Sequence, residues 1–355
     1  MNKPALNISA PKRILIRSTN WIGDAIMTTP AVRSIRENFP GARVSILVLP
    51  WVADVFVASP YVDEIILYRK NGEHRGLPGR LRLVKELGAK DFDLVILLQN
   101  AFEAGLITWL ARIPARAGYS TDGRGFLLTH PVKLRQEVKT VHQVHYYQEM
   151  LRGLGLRTGP DKLFLNLPAA ARGWAEDFLQ DRLRQNGKPV IGFNPGASYG
   201  PAKRWPAEKF SELAGLVSSR TDGNILVFGT DDDHEAAAII RRGAEKHVVD
   251  LTGRTTLAQA MALIERCHVF VTNDSGLMHV SAALGTPTAA IFGSTNHVTT
   301  GPYSKRSRVI RKEIPCSPCL QTHCDTDFRC MQEIGSSEVF ATVLKLLNGR
   351  RPPSE

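Results

Sequence analysis

At 355 residues, 43% of them hydrophobic and 22% charged, the chain is too long for one ordinary α/β domain and too apolar to be disordered. Lys and Arg outnumber Asp and Glu by 45 to 34, a net charge of +11 that suits an anionic partner or simply keeps a basic protein soluble. No Lys/Arg run forms a nucleic-acid arm and no RNA- or DNA-binding motif is present, so nucleic acid is not an expected partner. The opening MNKPALNISAPKR has no apolar signal core, which predicts a cytoplasmic protein whose five cysteines are reduced or metal-bound. KRILIRS then reads as a strand, and DAIMTTPAVRSIRENFPG as a helix stopped by Pro-Gly. The most apolar stretch, VSILVLPWVADVFVASPYV, is interrupted by Pro50, Asp54 and Pro60, which predicts strand, turn and short helix and not a membrane span. RVSILVLP, DEIILY and DLVILLQ are strands with helical stretches between them, the βαβ rhythm of a parallel sheet covered on both faces.

Around residues 155–170 the rhythm breaks in GLRTGPDKLFLNLPAA, a Gly- and Pro-rich interdomain connection. It restarts with the helix ARGWAEDFLQDRLRQ, the strand PVIGFN, the helix PAEKFSELAGLVSS and the strand NILVFG. The helix DDHEAAAIIRRGA, the strand HVVDL, the helix TLAQAMALIERC, the strand HVFVTN and the helix SGLMHVSAALG follow, with TAAIFG as the last strand. Residues 293–335 read as irregular and Cys-rich, and SSEVFATVLKLLNG as a closing amphipathic helix. The expected fold class is α/β, two Rossmann-like doubly wound domains over 1–160 and 161–335, the second carrying the Cys-rich loop 316–330, with a helix and tail over 336–355. Two such domains on one linker predict a cleft, with chemistry in the strand-to-helix loops beyond the C-terminal strand ends.

Four segments can carry that chemistry. RSTNWIGDAIMTTPA offers Ser18, Thr19, Asn20, Gly23 and Asp24 where a helix begins. Asp24 is the loop's one acid, either a general base or an N-cap of that helix. GFNPGASYGPAKRWP sets Gly196 and Gly200 beside Lys203; this suits a phosphate, or is a glycine-rich turn with a solvated lysine. In TNDSGLMHVSAALGTP, Asp274 ends a strand, Ser275 and Gly276 open the next helix, and His279 lies one turn in. A helix start of that kind attracts an anion. With Lys203 on the same rim, a diphosphate site is the economical reading, and Asp274 would orient hydroxyls or donors, or only cap. Cys316, Cys319, Cys324 and Cys330 are spaced like ligands of a structural zinc or iron, or are reduced thiols packing a loop. Arg116 and Arg124 belong to a basic cluster that could meet a phosphorylated acceptor.

Taken together, NWIGDAIMTTPAVRSIR, NPGASYGPAKRWP and TNDSGLMHVSAALGTPTAAIFGSTN resemble, in order, the signatures of the ADP-heptose:lipopolysaccharide heptosyltransferases, with wording most similar to the heptosyltransferase II branch. The resemblance covers nearly the whole chain. It implies a GT-B fold and inverting transfer of L-glycero-D-manno-heptose from ADP-heptose to the first heptose of a phosphorylated Kdo-lipid A core, with no cofactor required for catalysis. It implies Asp24 as catalytic base, and Ser198, Tyr199, Lys203, Glu235, Asp274, Ser275, Gly276 and His279 as donor-binding residues. Ser18, Asn20, Arg116 and Arg124 fall on the acceptor side. A basic enzyme of this kind would work peripherally at the anionic inner face of the inner membrane. Heptosyltransferase I, a transferase for another sugar, a nucleotide-sugar 2-epimerase and a non-catalytic nucleotide-sugar binder are the competing readings.

Overall fold

A computed structural model describes Leu6 and residues 10–183 and 187–349. Most of the opening segment, the last two residues of the helix expected over ARGWAEDFLQDRLRQ and the tail after Gly349 lie outside the described residues. The chain divides into two units, Met1–Asn166 and Leu167–Glu355.

The first unit is one parallel six-stranded sheet: β1 (Arg13–Arg17), β2 (Arg43–Val48), β3 (Glu64–Leu67), β4 (Leu94–Leu97), β5 (Ala115–Tyr119) and β6 (His130–Val132). Its strand order is β3-β2-β1-β4-β5-β6, so the winding reverses between β1 and β4. Helices α1 (Ile22–Met27), α2 (Thr29–Asn38), α3 (Gly76–Gly88), α4 (Phe102–Leu110) and α5 (Gln143–Gly153) connect and cover it. Leu15, Leu47, Val95 and Leu97 form a core with Leu83 and Leu87 of α3 and Ala104 and Ile107 of α4. The alternate positions Ile14, Ile16, Ile46 and Ile96 are also fully buried, as two-sided cover requires.

The single helix expected after β1 is two. Thr28 and Thr29 fold their hydroxyls back onto the carbonyls of Ala25 (2.6 Å) and Ile26 (2.7 Å), and Pro30 brings no N–H to continue the ladder. Strands β5 and β6 gave no run in the sequence because ARAGY and HPV carry few β-branched residues. The Gly/Pro-rich connection is fastened along α2: Arg157 N–H to Asn38 Oδ1 (3.0 Å), Gly159 N–H to Ser34 Oγ (3.0 Å) and Phe164 N–H to Thr29 Oγ1 (3.0 Å).

The second unit repeats the plan with β7 (Val190–Asn194), β8 (Asn224–Val227), β9 (Val248–Asp250), β10 (Val269–Asn273), β11 (Thr288–Ile291) and β12 (Ser307–Ile310), all parallel. The order is β12-β11-β10-β7-β8-β9, reversing between β7 and β10. Helices α6 (Ala169–Arg182), α7 (Ala207–Thr221), α8 (His234–Gly243), α9 (Leu257–Arg266) and α10 (Gly276–Leu284) accompany the strands. The short α11 (His297–Thr300) and α12 (Arg329–Gln332) follow, then α13 (Ser336–Asn348), whose Val339 and Val343 join the core around Phe193, Trp205 and Phe210. TAAIFG is therefore not the last strand. Within the stretch read as irregular, SRVI pairs with β11 as an edge strand, and an edge that buries only Ile310 needs little apolar sequence. These are two doubly wound α/β units, the GT-B type of fold.

Candidate active site

Crevices in doubly wound sheets open at the point where strand order reverses. In the second unit that point lies between β7 and β10, and the loops leaving these two strands carry Lys203 and Asp274. Lys203 Nζ stands 2.5 Å from Asp274 Oδ2, with both side chains largely buried. The same oxygen accepts from Thr295 Oγ1 (2.6 Å), in the loop after β11. Lys203 also lies over the Tyr199 ring, 4.6 Å from its centroid. An ammonium held between a carboxylate and a ring face is oriented without being neutralised by contact with several acids.

Two buried asparagines at the strand ends position this pair. Asn194 donates to Ser275 Oγ (2.8 Å) and Thr272 Oγ1 (3.2 Å), while Asn273 donates to Pro195 O (2.6 Å) and accepts from Trp205 N–H (3.1 Å). Each reaches across the reversal point and ties one loop to the other. Ser275 caps α10 by accepting from Met278 N–H, so the free N–H groups of the first turn begin at Gly276, next to Asp274. His279 is buried one turn on, Ser198 and Tyr199 are exposed in the glycine-rich loop, and Glu235 is exposed in the first turn of α8. The sequence reading missed Asn194, Asn273 and Thr295. The first two end strands within motifs it quoted, and Thr295 ends the FGST segment after β11.

The Cys-rich segment is a strap over these loops. Ala202 N–H bonds Thr322 O (3.0 Å), Tyr199 Oη donates to Leu320 O (2.7 Å), Leu320 N–H bonds Ser294 O (2.7 Å) and Ser317 Oγ donates to Gly293 O (2.7 Å). Among the described residues no group of three or more Cys, His, Asp or Glu side chains is placed to hold a metal ion, so the metal site that the cysteine spacing suggests gains no support from the structure. Cys316, Cys319 and Cys324 are exposed on the strap, whereas Cys330 is buried on α12 against Gly293. Burial, then its three cysteine neighbours, pushes the Cys330 thiol up, while hydrogen bonds from Thr326 bring the Cys324 thiol down.

In the first unit the reversal point lies between β1 and β4. Arg17 ends β1 and is buried; it donates to Asn20 Oδ1 (2.8 Å) and to the carbonyl of Ser18, and lies 5.8 Å from the Tyr68 centroid. Burial pushes its guanidinium down to about 10, so it stays charged at neutral pH. Asn20 O in turn accepts from Trp51 Nε1 (3.0 Å). Ser18 Oγ and Thr19 Oγ1 are buried and have no hydrogen-bond partner among the described residues. Asp24 sits in the first turn of α1, but Trp21 holds the N-cap position. Behind Asp24 is the buried Tyr147, whose hydroxyl is pushed well up by burial and next by the Asp24 charge.

Arg116 and Arg124 are engaged with the main chain. Arg116 donates to Leu127 O (2.6 Å) and Ile113 O (2.5 Å). Arg124 is fully buried and donates to Tyr119 O (3.0 Å), Asn100 Oδ1 (2.9 Å) and the carbonyl of Gln99, clamping the loop after β4 to the loop after β5. Burial lowers the pKa of both guanidinia.

Residues 80–328 match glycosyltransferase family 9 (heptosyltransferase). The lipopolysaccharide heptosyltransferase 2 of Salmonella typhimurium is 32% identical over 84% of this chain and 88% of its own length. The lipooligosaccharide heptosyltransferase 2 of Campylobacter jejuni is 30% identical over 94% and 98%. Among solved structures, the ADP-heptose lps heptosyltransferase II of E. coli superposes with a TM-score of 0.80 at 30% identity, covering 95% of this chain and 98% of that one. A family 9 glycosyltransferase from Veillonella parvula superposes with a TM-score of 0.88 at 26% identity, covering 98% and 100%.

The bracing role of Arg124 predicts a stability effect. Arg124→Met should lower unfolding free energy in urea by about 1.5–3 kcal/mol, the scale of lost charge-assisted hydrogen bonds. Lys133→Gln, on the exposed surface nearby, should change it by less than about 0.5 kcal/mol. Equal, small effects would show that Arg124 is dispensable to the fold.

Proposed function

This chain belongs to glycosyltransferase family 9, and from that premise we propose that it transfers a heptose from ADP-L-glycero-D-manno-heptose to the first heptose of a Kdo-lipid A core, in lipopolysaccharide biosynthesis. The observation that carries the reading is the Lys203–Asp274–Thr295 cluster at the reversal point of the second sheet, in a chain whose relatives are named heptosyltransferases 2. Lys203 and the first turn of α10 supply a cation and free N–H groups on one rim, which fits a diphosphate. Ser198, Tyr199, Glu235, Ser275, Gly276 and His279 complete the assigned donor contacts, with Glu235 toward the ribose. The acceptor side is assigned to Ser18 and Asn20, with Arg116 and Arg124 acting through the loops they brace.

The reaction is an inverting displacement. The acceptor oxygen forms a bond to the anomeric carbon from the face opposite ADP, the bond from that carbon to the diphosphate oxygen breaks, and the acceptor proton passes to the Asp24 carboxylate. Lys203 and the α10 N–H groups stabilise the charge that grows on the departing ADP. No step is routed through a metal. The acceptor is a phosphorylated lipid, so the enzyme works in the cytoplasm, at the anionic inner face of the inner membrane.

Incubation with ADP-heptose and an acceptor bearing one heptose should add the mass of one further heptose. Transfer only to an acceptor lacking heptose, or none at all, would contradict the assignment. Lys203→Ala should weaken ADP binding in calorimetry by about 1–3 kcal/mol; an unchanged affinity removes Lys203 from the site. Asp24→Asn should lower turnover by roughly 10²–10⁴-fold. The variant should remain folded, because Asn keeps the size of Asp, and a circular-dichroism melt checks this. Near-normal turnover would end the base assignment.

A further inference from the structure

Among the described residues, the exposed Trp and Phe side chains all lie on the first unit: Trp21, Trp51, Phe102, Trp109 and Phe126. Three of them gather on one face. Helix α4, FEAGLITWL, buries Ala104 and Ile107 in the core, yet its outer side carries Phe102, Trp109 and Leu110, each at least 40% exposed. Its one charge, Glu103, is held by Lys70 (3.2 Å) and Arg80 (2.8 Å) and accepts from Tyr68 Oη (3.0 Å). Phe126, 77% exposed in the 3-10 turn Gly125–Leu127, brings its ring within 6.2 Å of Phe102. On the other side α3 packs against α4 and leaves Leu77 and Leu81 exposed. A surface helix that is apolar all round is expected where its outer side also meets an apolar phase.

The rim is cationic. Arg75, Arg82, Lys85 and Arg112 are exposed, and among the described residues none of them forms an ion pair. Of the acids on and just before α3, Glu73 is held by Arg69 (2.6 Å) and Glu86 by His74 (3.1 Å); Asp91 and Asp122 are exposed, leaving the four unpaired cations in excess. A second copy of this chain seated on the face by a two-fold axis would bring these cations against their own images. An anionic bilayer matches both features: exposed Trp and Phe settle at the headgroup level, and each nearby Lys or Arg adds attraction.

We propose that the α3–α4 face, with Phe126, is a membrane-docking surface that rests its rings among the headgroups of an anionic leaflet. The choice of occupant rests on the reading of the acceptor as a lipid-linked sugar; the face itself does not. None of the described helices is long and apolar enough to cross a membrane, so the contact is lateral, along helices lying on the surface.

The test is flotation of the full chain with vesicles of phosphatidylethanolamine and phosphatidylglycerol, against neutral phosphatidylcholine vesicles. The wild type should float with the anionic vesicles, less so as salt rises, and should stay behind with the neutral ones. Trp109→Ser with Phe126→Ser, and separately Arg82→Gln with Lys85→Gln, should each weaken partition by about tenfold or more, with unchanged circular-dichroism melts. If the ring pair proves unstable, Phe126→Ser alone serves, since that side chain is almost wholly in water. Wild-type flotation of both variants, equal binding to neutral vesicles, or no binding at all would overturn the proposal. So would a dimer in sedimentation that the ring variant abolishes, because a second copy would then cover the face. Flotation needs no sugar transfer. A chain that floats but transfers no heptose refutes the proposed reaction alone, and one that transfers but does not float refutes this surface alone.

Discussion

An ammonium and a carboxylate taken out of water together are stable only while each keeps the other, and removing one strands the second at a cost of several kcal/mol. Lys203 and Asp274 are such a pair, and much of the second unit serves to hold it. β7 and β10 are neighbours in the sheet, so their exit loops leave side by side at the reversal point. Asn194 and Asn273 stitch the two loops from below, and Thr295 adds a third partner from the loop after β11. The strap closes from above through Tyr199, Ala202 and Leu320. It approaches so closely at Gly200, whose φ is +155°, that a Cβ there would fall 2.4 Å from Thr322 O. Glycine at that position is thus required by the strap as well as by the turn.

The first unit uses the same topological position differently. Its buried cation, Arg17, points at the carbonyl of Ser18 and the side chain of Asn20, where it fixes the loop and presents no open cation. What the loop leaves unsatisfied are two hydroxyls, on Ser18 and Thr19. A carboxylate suits the hydroxyls of a sugar; an ammonium beside a helix start suits a diphosphate. One repeated fold thereby gives two chemically distinct loops, an arginine-braced one with a carboxylate in the first unit and an ammonium beside a helix start in the second.

The fold was legible where strands are buried on both faces. ILI of β1, LVIL of β4 and VFV of β10 are continuous apolar runs, and each lies in a central strand. It was illegible at the margins: ARAGY, HPV and SRVI are short or polar, and only their neighbours in the sheet make them strands. Lys203 and Asp274 were legible because glycine and a helix start flank them at strand ends. Their direct contact was not, since 71 residues separate them in sequence. Arg124 misled for the opposite reason. A sequence shows a cation but not the carbonyls that surround it, and only burial distinguishes a loop clamp from a phosphate ligand. The cysteine spacing allows a tetrahedral site, and the other three thiols neighbour the buried Cys330, but among the described residues no group of three or more is placed to hold a metal ion.

The most direct test of the central claim, that the Lys203–Asp274 rim receives the donor diphosphate, is a crystal structure of the chain with ADP. The account predicts the β-phosphate within hydrogen-bond distance of Lys203 Nζ and of the first N–H groups of α10, with Asp274 still in place beside it. A diphosphate bound elsewhere, with the Lys203–Asp274–Thr295 cluster undisturbed and untouched, would contradict it.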